Sequence, residues 1–413
     1  MVRLGTLLRT PAQRAGSFRY IAISLAALIG AAVALPPNAF ASHRHRARTA
    51  PDETANPSAA TSGPYAEACV MEPATGTFIF EKNDHQPWPT ASLTKMMLML
   101  IVAEKLHDGS LKLADQVTTS RKAAEMGGSQ VYLKEGETFS LDDSMKALVV
   151  HSANDSAVAV AEYVAGSTDA FVQMMNQKAA ELGMKDTHYY SVHGLPPARG
   201  QQADVASAYD EALLARELVK YPDILRWSSI DTAPFRNGAF ELRNTNHLVR
   251  TYKGCDGLKT GFYEKAGFNV VATAHRGAMR LIAVVLGTPH KLTNFKEAAE
   301  MMSQGFLNYE MHPVAAKGAP VKQTVAVTGG AAPSLTPVWG SDAAVFMKRS
   351  ATKSALQVVY NLPPAVAAPI SAGQQLGTAD IVEDGKPVAS VALVAPADIT
   401  RQGSVLKRIF DKL

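Results

Sequence analysis

The chain has 413 residues, of which 47% are hydrophobic and 19% are charged, values that are ordinary for a soluble globular protein. This length predicts two or three domains with enough apolar material for a large core. The formal net charge of +4 suggests an anionic partner. The basic residues of the chain are unevenly distributed, however, and the N-terminus must be considered first.

The N-terminus has the pattern of a secretory signal. Residues 1–19 contain four arginines and no acidic residue, residues 20–35 form an uncharged, mostly apolar run, and Ala39-Phe40-Ala41 resembles a cleavage site. The alternative is a membrane anchor, but the run is shorter than the roughly 20 apolar residues that a span needs. We expect cleavage after Ala41 and a mature protein in the periplasm or on the outer face of the cytoplasmic membrane.

Cleavage changes the meaning of the charge. Residues 1–41 carry four arginines and no acids, so their removal lowers the formal charge from +4 to zero. The basicity is then a targeting feature, and nucleic-acid binding loses its main support.

Residues 42–64 contain almost no large apolar side chain, which predicts a flexible linker. Two cysteines follow, Cys69 and Cys255, and the sequence leaves open whether they form a disulfide or remain buried free thiols. Neither C-x-x-C nor H-E-x-x-H occurs, so we expect no metal site and no cofactor.

Residues 65–310 show an ordered alternation of predicted elements. Two strands with a glycine turn come first, and a buried helix runs from Thr90 to Gly109. A capping box at Ser140 begins the next helix, and two more follow. Three strands and a closing helix over 291–309 complete the order. It predicts an α+β domain with one antiparallel sheet covered by helices.

The composition changes after about His312. Residues 311–400 are rich in Val, Ala, Pro and Gly and contain strand-like segments, which predict a small all-β domain. Residues 401–413 end in a short amphipathic segment with apolar residues on one face. We consider an interfacial membrane anchor and a packed helix end equally compatible with this pattern.

Ser92-Leu93-Thr94-Lys95 is the first of three motifs that suggest chemistry. A serine three residues before a lysine on one helix places both side chains on the same face. The serine hydroxyl is a weak nucleophile until a base takes its proton, and a lysine with a depressed pKa can be that base.

The other two motifs are Ser152-Ala153-Asn154, at the predicted end of a helix, and Lys259-Thr260-Gly261, on a predicted strand. Each triplet alone is common by chance. The three in this order form the S-x-x-K, S-x-N-like and K-T-G set of penicillin-binding proteins and class A β-lactamases.

With these motifs the chain resembles the low-molecular-mass penicillin-binding proteins, the serine-type D-alanyl-D-alanine carboxypeptidases. The resemblance extends through SANDSAVAVAEYVAGS and DGLKTGFYEKAGFNVVATA and covers residues 65–310 closely. Residues 311–400 resemble the C-terminal β domain of that family. The resemblance implies a penicillin-binding, transpeptidase-like fold, peptidoglycan stem peptides ending in D-Ala-D-Ala as substrate, and β-lactams as covalent inhibitors.

The resemblance also implies roles for residues of the first two motifs. Ser92 would attack the peptide and Lys95 would be the acylation base. Ser152 would relay a proton to the leaving amine, and Asn154 would hold Lys95 and the substrate amide.

The third motif would bind and polarise the substrate. Lys259 would add positive field, and Thr260 would hydrogen-bond the terminal carboxylate. Gly261 would let the substrate backbone approach the strand. The backbone N–H groups of Phe262 and Ser92 would form the oxyanion hole.

Four alternatives compete with this interpretation. A class A β-lactamase needs a glutamate for deacylation, but residues 181–195 contain no E-x-x-x-N, and Ala153 replaces the usual aspartate. A D,D-endopeptidase would use the same residues as a carboxypeptidase, and a non-catalytic penicillin- or peptidoglycan-binding protein is the third alternative. A Ser-His triad with His151, His193 or His247 lacks the G-x-S-x-G elbow.

Overall fold

The chain was analysed as a computed structural model, which describes residues 63–350 and 356–402. The helices of these residues are α1 (Lys95–His107), α2 (Arg121–Ala124), α3 (Leu141–Val150), α4 (Asn154–Ala165), α5 (Thr168–Glu181), α6 (Ala208–Leu218), α7 (Pro222–Ser228), α8 (Leu248–Thr251) and α9 (Thr293–Asn308).

The strands of residues 63–315 are β1 (Glu67–Glu72), β2 (Thr77–Lys82), β3 (Trp88–Pro89), β4 (Gln116–Thr118), β5 (Thr138–Ser140), β6 (Val205–Ala206), β7 (Thr232–Phe235), β8 (Phe240–Arg243), β9 (Cys255–Tyr263), β10 (Gly267–Arg276), β11 (Met279–Thr288) and β12 (Tyr309–Ala315). Those that follow are β13 (Val325–Thr328), β14 (Ser334–Leu335), β15 (Val338–Trp339), β16 (Ala343–Lys348), β17 (Leu356–Asn361), β18 (Ala365–Ala367), β19 (Gln375–Glu383) and β20 (Lys386–Val394).

The central sheet joins the two ends of residues 63–308, which are called the first part of the chain below. Its strand order is β2-β1-β11-β10-β9, and every neighbouring pair is antiparallel. β1 therefore lies beside β11, although more than 200 residues separate them. This arrangement confirms the predicted α+β fold with an antiparallel sheet covered by helices. Three two-stranded sheets, β3-β6, β4-β5 and β7-β8, were not predicted.

Each face of the sheet packs against a different set of helices. Alternate residues of β10 and β11, such as Val271 and Ile282, join the core formed with α1, α3 and α4. The residues between them, such as Val270 and Leu281, join the core formed with α9. Because strand side chains alternate between faces, two buried faces require nearly continuous apolar strands, as observed.

Helix α1 occupies the middle of the first core. Its residues 95–103 are all buried, and only its last turn reaches the surface. Burial of each Leu, Ile or Met side chain stabilises the fold by about 1.5–3 kcal/mol. The helix begins later than predicted, because residues 91–94 form a 3₁₀ turn before it.

The predicted N-cap of α3 at Ser140 is confirmed, although the Asp143 carboxylate accepts from the Ser140 hydroxyl and not from its backbone N–H, as a full capping box requires. The Ser140 hydroxyl accepts a hydrogen bond from the backbone N–H of Asp143. Such a bond satisfies one of the four N–H groups that a helix leaves unpaired at its N-terminus. The cap fixes the residue at which α3 begins. It thereby helps to position residues 151–154, which follow the other end of the helix.

The described residues after α9 form strands and loops without a helix, as predicted. Their sheets have the strand orders β12-β16, β14-β13-β18 and β15-β20-β19-β17. Tyr309 of β12 stacks on Phe346 of β16, with ring centroids 5.1 Å apart, and both rings contact the α9 side of the first part.

Cys69 and Cys255 are both buried and unpaired. The predicted signal, nearly all of the predicted linker and residues 403–413 of the predicted amphipathic tail lie outside the described residues. Within residues 63–350 and 356–402 no helix has the length and apolar character needed to cross a membrane.

Candidate active site

Ser92 lies in the 3₁₀ turn that leads into α1. Ala91 before it is buried and has φ of +49°, in the left-handed region that residues other than glycine rarely adopt. Glycines flank this turn on two sides. A Cβ on Gly194 would come within 1.9 Å of the Ala91 carbonyl oxygen, and one on Gly261 within 2.5 Å of the Thr90 carbonyl oxygen.

Lys95 is the partner of Ser92. Its Nζ lies 3.0 Å from Ser92 Oγ and donates a second hydrogen bond, of 2.6 Å, to the His193 carbonyl. The side chain is fully buried. Burial, helped by the neighbouring Lys259 ammonium, holds the pKa of Lys95 well below the usual value of a lysine. A neutral amine at this distance can take a proton from the serine hydroxyl.

Ser152 lies in the turn between α3 and α4, with φ of +63°. Its hydroxyl accepts a 2.7 Å hydrogen bond from Lys259 Nζ, which also donates to the carbonyl of Thr260. Lys259 is only 1% exposed, and burial lowers its pKa to about 7. The site therefore holds two serine–lysine contacts in which both lysines are desolvated.

Asn154, the first residue of α4, differs from the expectation. Its Nδ2 donates to the Gly127 carbonyl at 2.7 Å, and its backbone N–H donates to Ser129. Lys95 Nζ instead uses Ser92 and His193, so no bond joins Asn154 to Lys95. Asn154 Oδ1 is buried and has no hydrogen-bond partner among the described residues.

Strand β9 carries the third motif along the edge of the sheet. The Thr260 hydroxyl donates to the Thr245 hydroxyl at 2.8 Å. Phe262 is 56% exposed and stacks on Phe268, with ring centroids 4.1 Å apart. Its side chain is thus a surface feature beside the site.

Gly261 has a different neighbour from the one expected. A Cβ at this position would point at the Thr90 carbonyl and lie 3.1 Å from the Ser92 backbone nitrogen. The missing side chain makes room for the chain's own nucleophile turn. The sequence resemblance implied a close approach at this glycine but by the substrate backbone, and that approach stays a prediction.

Two contributors were missed from the sequence. The His193 carbonyl accepts from Lys95, and Thr245 contacts Thr260. From the sequence we considered only the imidazole ring of His193. Every residue has a backbone carbonyl, so the type of residue at position 193 does not predict a backbone acceptor. Thr245 lies in an N-T-N run between two elements, where a threonine has many ordinary roles.

The histidine alternatives find no support in the geometry. The His193 ring accepts the Leu195 N–H through Nδ1, and burial lowers its pKa to about 4. The recorded side-chain partner of Ser92 is Lys95. Among residues 63–350 and 356–402 no cluster of His, Cys, Asp or Glu side chains has a metal-binding arrangement.

The chain matches two protein-family models in succession. Residues 54–290 match the D-alanyl-D-alanine carboxypeptidase model (Peptidase_S11), and residues 309–401 match the model of the penicillin-binding protein 5 C-terminal domain. The first match alone spans more than half of the chain.

Curated relatives show similarity over nearly the whole length. The D-alanyl-D-alanine carboxypeptidase DacF of Bacillus subtilis is 34% identical over 346 residues, which cover 83% of this chain and 88% of the relative. DacC of Escherichia coli is 33% identical, with 83% and 86% covered.

Solved structures share the fold. Penicillin-binding protein 3 of Streptococcus pneumoniae, described as a peptidoglycan synthesis regulatory factor, aligns with a TM-score of 0.72 at 26% identity, over 82% of this chain and all of that one. Penicillin-binding protein D2 of Listeria monocytogenes, in its ampicillin-bound form, aligns with a TM-score of 0.55 at 30% identity, over 60% and 99%.

Three findings agree with one another. They are the two consecutive family matches, the relatives that are more than 30% identical over most of their length, and the common fold. The chain belongs to the D-alanyl-D-alanine carboxypeptidase family of low-molecular-mass penicillin-binding proteins.

Proposed function

We propose that this serine-type D-alanyl-D-alanine carboxypeptidase removes the terminal D-alanine of peptidoglycan stem peptides through an acyl-enzyme on Ser92. The observation that carries the proposal is the 3.0 Å separation between Ser92 Oγ and the fully buried Lys95 Nζ. Burial favours the neutral amine, which is the form that acts as a base.

In the acylation step, Ser92 Oγ forms a bond to the carbonyl carbon of the penultimate D-alanine, and its proton passes to Lys95. The carbon–nitrogen bond to the last D-alanine then breaks, and Ser152 relays a proton to the leaving amine. Water attacks the ester in the second step, which releases the shortened peptide and restores the serine proton.

The remaining residues would bind the substrate. Asn154 Oδ1 is buried without a partner, so it can accept a hydrogen bond from a substrate amide. The hydroxyls of Thr260 and Thr245 lie together and suit the terminal carboxylate. Lys259 adds positive charge in its protonated form.

The tetrahedral intermediate needs donors for its negative oxygen. We assign this role to the backbone N–H groups of Ser92 and Phe262. Gly261 supports it, because a Cβ there would lie 3.1 Å from the Ser92 nitrogen and crowd that donor.

An endopeptidase activity on cross-links is the second candidate. A D-alanyl-D-alanine endopeptidase of Pseudomonas aeruginosa is 32% identical, but only over 57% of this chain. The carboxypeptidase relatives align over 83%, including the C-terminal β region. This difference favours the carboxypeptidase.

The deciding experiment compares D-alanine release from monomeric muropeptides with cleavage of cross-linked dimers. We expect release from the monomers, its loss in Ser92→Ala and its retention in Ser110→Ala, which alters an exposed serine. Cleavage of dimers alone would establish the endopeptidase. Penicillin binding without either reaction would establish a non-catalytic binder, and activity in Ser92→Ala would refute the mechanism.

We further propose that residues 1–41 direct export and that β-lactams acylate Ser92 and leave slowly. The absence of an E-x-x-x-N motif in residues 181–195 supports slow release. Whether residues 404–413 contact the membrane is tested by deleting them. Transfer of the shortened protein to the soluble fraction would support an anchor, and unchanged partition would contradict it.

A further inference from the structure

Asp204 is a buried carboxylate outside the three motifs. It is 5% exposed, yet it accepts hydrogen bonds from the backbone N–H groups of Tyr190 and Ser191, at 2.6 and 2.8 Å. The Ser191 hydroxyl donates a third bond of 2.6 Å, and the nearby Thr94 hydroxyl lowers the pKa of the same carboxyl. Burial raises the pKa of this carboxyl, and the hydrogen bonds from its donors oppose that rise. The same bonds fix the segments that supply the donors.

The segment that Asp204 holds is the one that contacts Lys95. The Ser191 hydroxyl accepts bonds from the backbone N–H groups of His193, at 3.3 Å, and Gly194, at 2.9 Å. The His193 carbonyl between these groups receives the 2.6 Å bond from Lys95 Nζ. The chain of contacts therefore runs from Asp204 through Ser191 to the lysine.

Asp204 also holds the nucleophile turn from the other side. Its backbone carbonyl accepts the N–H of Thr90 at 3.1 Å, and Thr94 lies between Ser92 and Lys95 in the 3₁₀ turn. One residue thus connects both segments that determine the separation of Ser92 and Lys95.

We propose that Asp204 is a positioning residue for the serine–lysine pair, which holds the His193 carbonyl against Lys95 and supplies a buried negative charge near that amine. The inference deepens the proposed function and rests on it. The Asp204 carboxylate makes no hydrogen bond to Ser92 Oγ or Lys95 Nζ and acts through Ser191 and His193.

The charges around Lys95 determine what the loss of Asp204 would do. Burial and Lys259 lower the pKa of Lys95, whereas Asp204 and Asp155 raise it, and the weakly basic His193 ring lies nearby. Without the Asp204 charge the pKa of Lys95 falls further. The base is inactive when protonated, so the acid limb of the rate profile moves to lower pH.

Three variants separate position from charge. Asp204→Asn keeps the shape but removes the charge, and Ser191→Ala breaks the connection to His193 while Asp204 stays charged. Asp210→Asn is the matched control. Asp210 is equally buried and accepts bonds from Asp186 N–H and the Thr187 hydroxyl, but has no connection to Lys95.

The measurement is the second-order rate constant of acylation by benzylpenicillin across pH, in the full chain. We expect Asp204→Asn to be slower by roughly tenfold or more, with its acid limb shifted to lower pH. Ser191→Ala should be slower without the shift, and Asp210→Asn should change neither.

Unchanged rate and profile in Asp204→Asn would overturn the inference while leaving the proposed function intact, since Ser92→Ala tests that separately. If Asp204→Asn does not fold, Ser191→Ala decides, and an unchanged rate in that variant contradicts the positioning role.

Discussion

The two parts of the chain bury very different residues. All buried polar and charged side chains of the described residues lie between Glu67 and Glu297, and none lies in the β region after α9. The cores of that region consist of apolar residues such as Trp339, Ile381 and Leu393. Buried polar groups destabilise a fold unless they are paired, and they are concentrated in the part of the chain that holds the candidate site.

Not every buried charge in the first part belongs to the site. Burial raises the pKa of Glu67 and of Glu211 to about 8, so both are largely protonated at neutral pH. Neither contacts Ser92 or Lys95. What distinguishes the two active-site lysines is that each contacts a serine hydroxyl.

The largest effect is expected at Lys95. Replacement of Lys95 by Met keeps an apolar chain in the core but removes the base. We expect acylation by benzylpenicillin to slow by roughly 10²- to 10⁴-fold, the usual contribution of a positioned base. Lys105→Met, in the last turn of the same helix, is the control and should react normally. Near-normal acylation in Lys95→Met would assign the base to another group.

A smaller loss of activity, together with a change in stability, is expected at Lys259. An unfolded lysine keeps its proton to about pH 10.5, whereas folded Lys259 loses it near pH 7. The unfolded chain therefore binds more protons between these values, and Lys259 makes stability rise with pH there. Lys259→Met should weaken this rise and lower the acylation rate roughly 10²-fold.

Chemical denaturation between pH 8 and 10 measures the effect on stability. Glu67 and Glu211, whose pKa values burial raises to about 8, also titrate in this range. Their contribution is common to both proteins and cancels when the slope of the variant is subtracted from that of the unchanged chain. Lys253→Met, at an exposed lysine, is the control. Equal slopes in Lys259→Met and the unchanged chain would mean that Lys259 stays protonated when folded.

The smallest effect on activity is expected in the C-terminal β region. Ile381 is fully buried there, and Ile381→Ala should lower the free energy of unfolding by about 2–5 kcal/mol. The acylation rate of the protein that remains folded should not change. A fall in that rate, measured below the unfolding transition, would show that this region supports the site directly.

The sequence predicted the fold where local patterns decide it. The apolar strands β9 to β11 and the capping residue Ser140 carry their signals in a few consecutive residues. The short strand pairs β4-β5 and β7-β8 were missed, because strands of three or four residues carry little periodicity. The start of α1 was placed too early, since a 3₁₀ turn has the same composition as a helix start.

The candidate site was likewise predicted where short motifs decide it and missed where distant contacts decide it. Ser92, Lys95, Ser152 and Lys259 were placed by motifs, and the structure brings them into two contacts. The Asp204 connection was not predictable, because it depends on backbone groups that every residue has. The partner of Asn154 was expected to be Lys95 and is Gly127, a carbonyl that only the folded chain brings near.

The central claim is that Ser92, beside the buried Lys95, is the nucleophile. Intact-protein mass spectrometry after brief exposure to benzylpenicillin, followed by peptide mapping, tests it most directly. The account predicts one adduct per chain, located on Ser92 and absent in Ser92→Ala. An adduct on another residue, or its persistence in Ser92→Ala, would contradict the account.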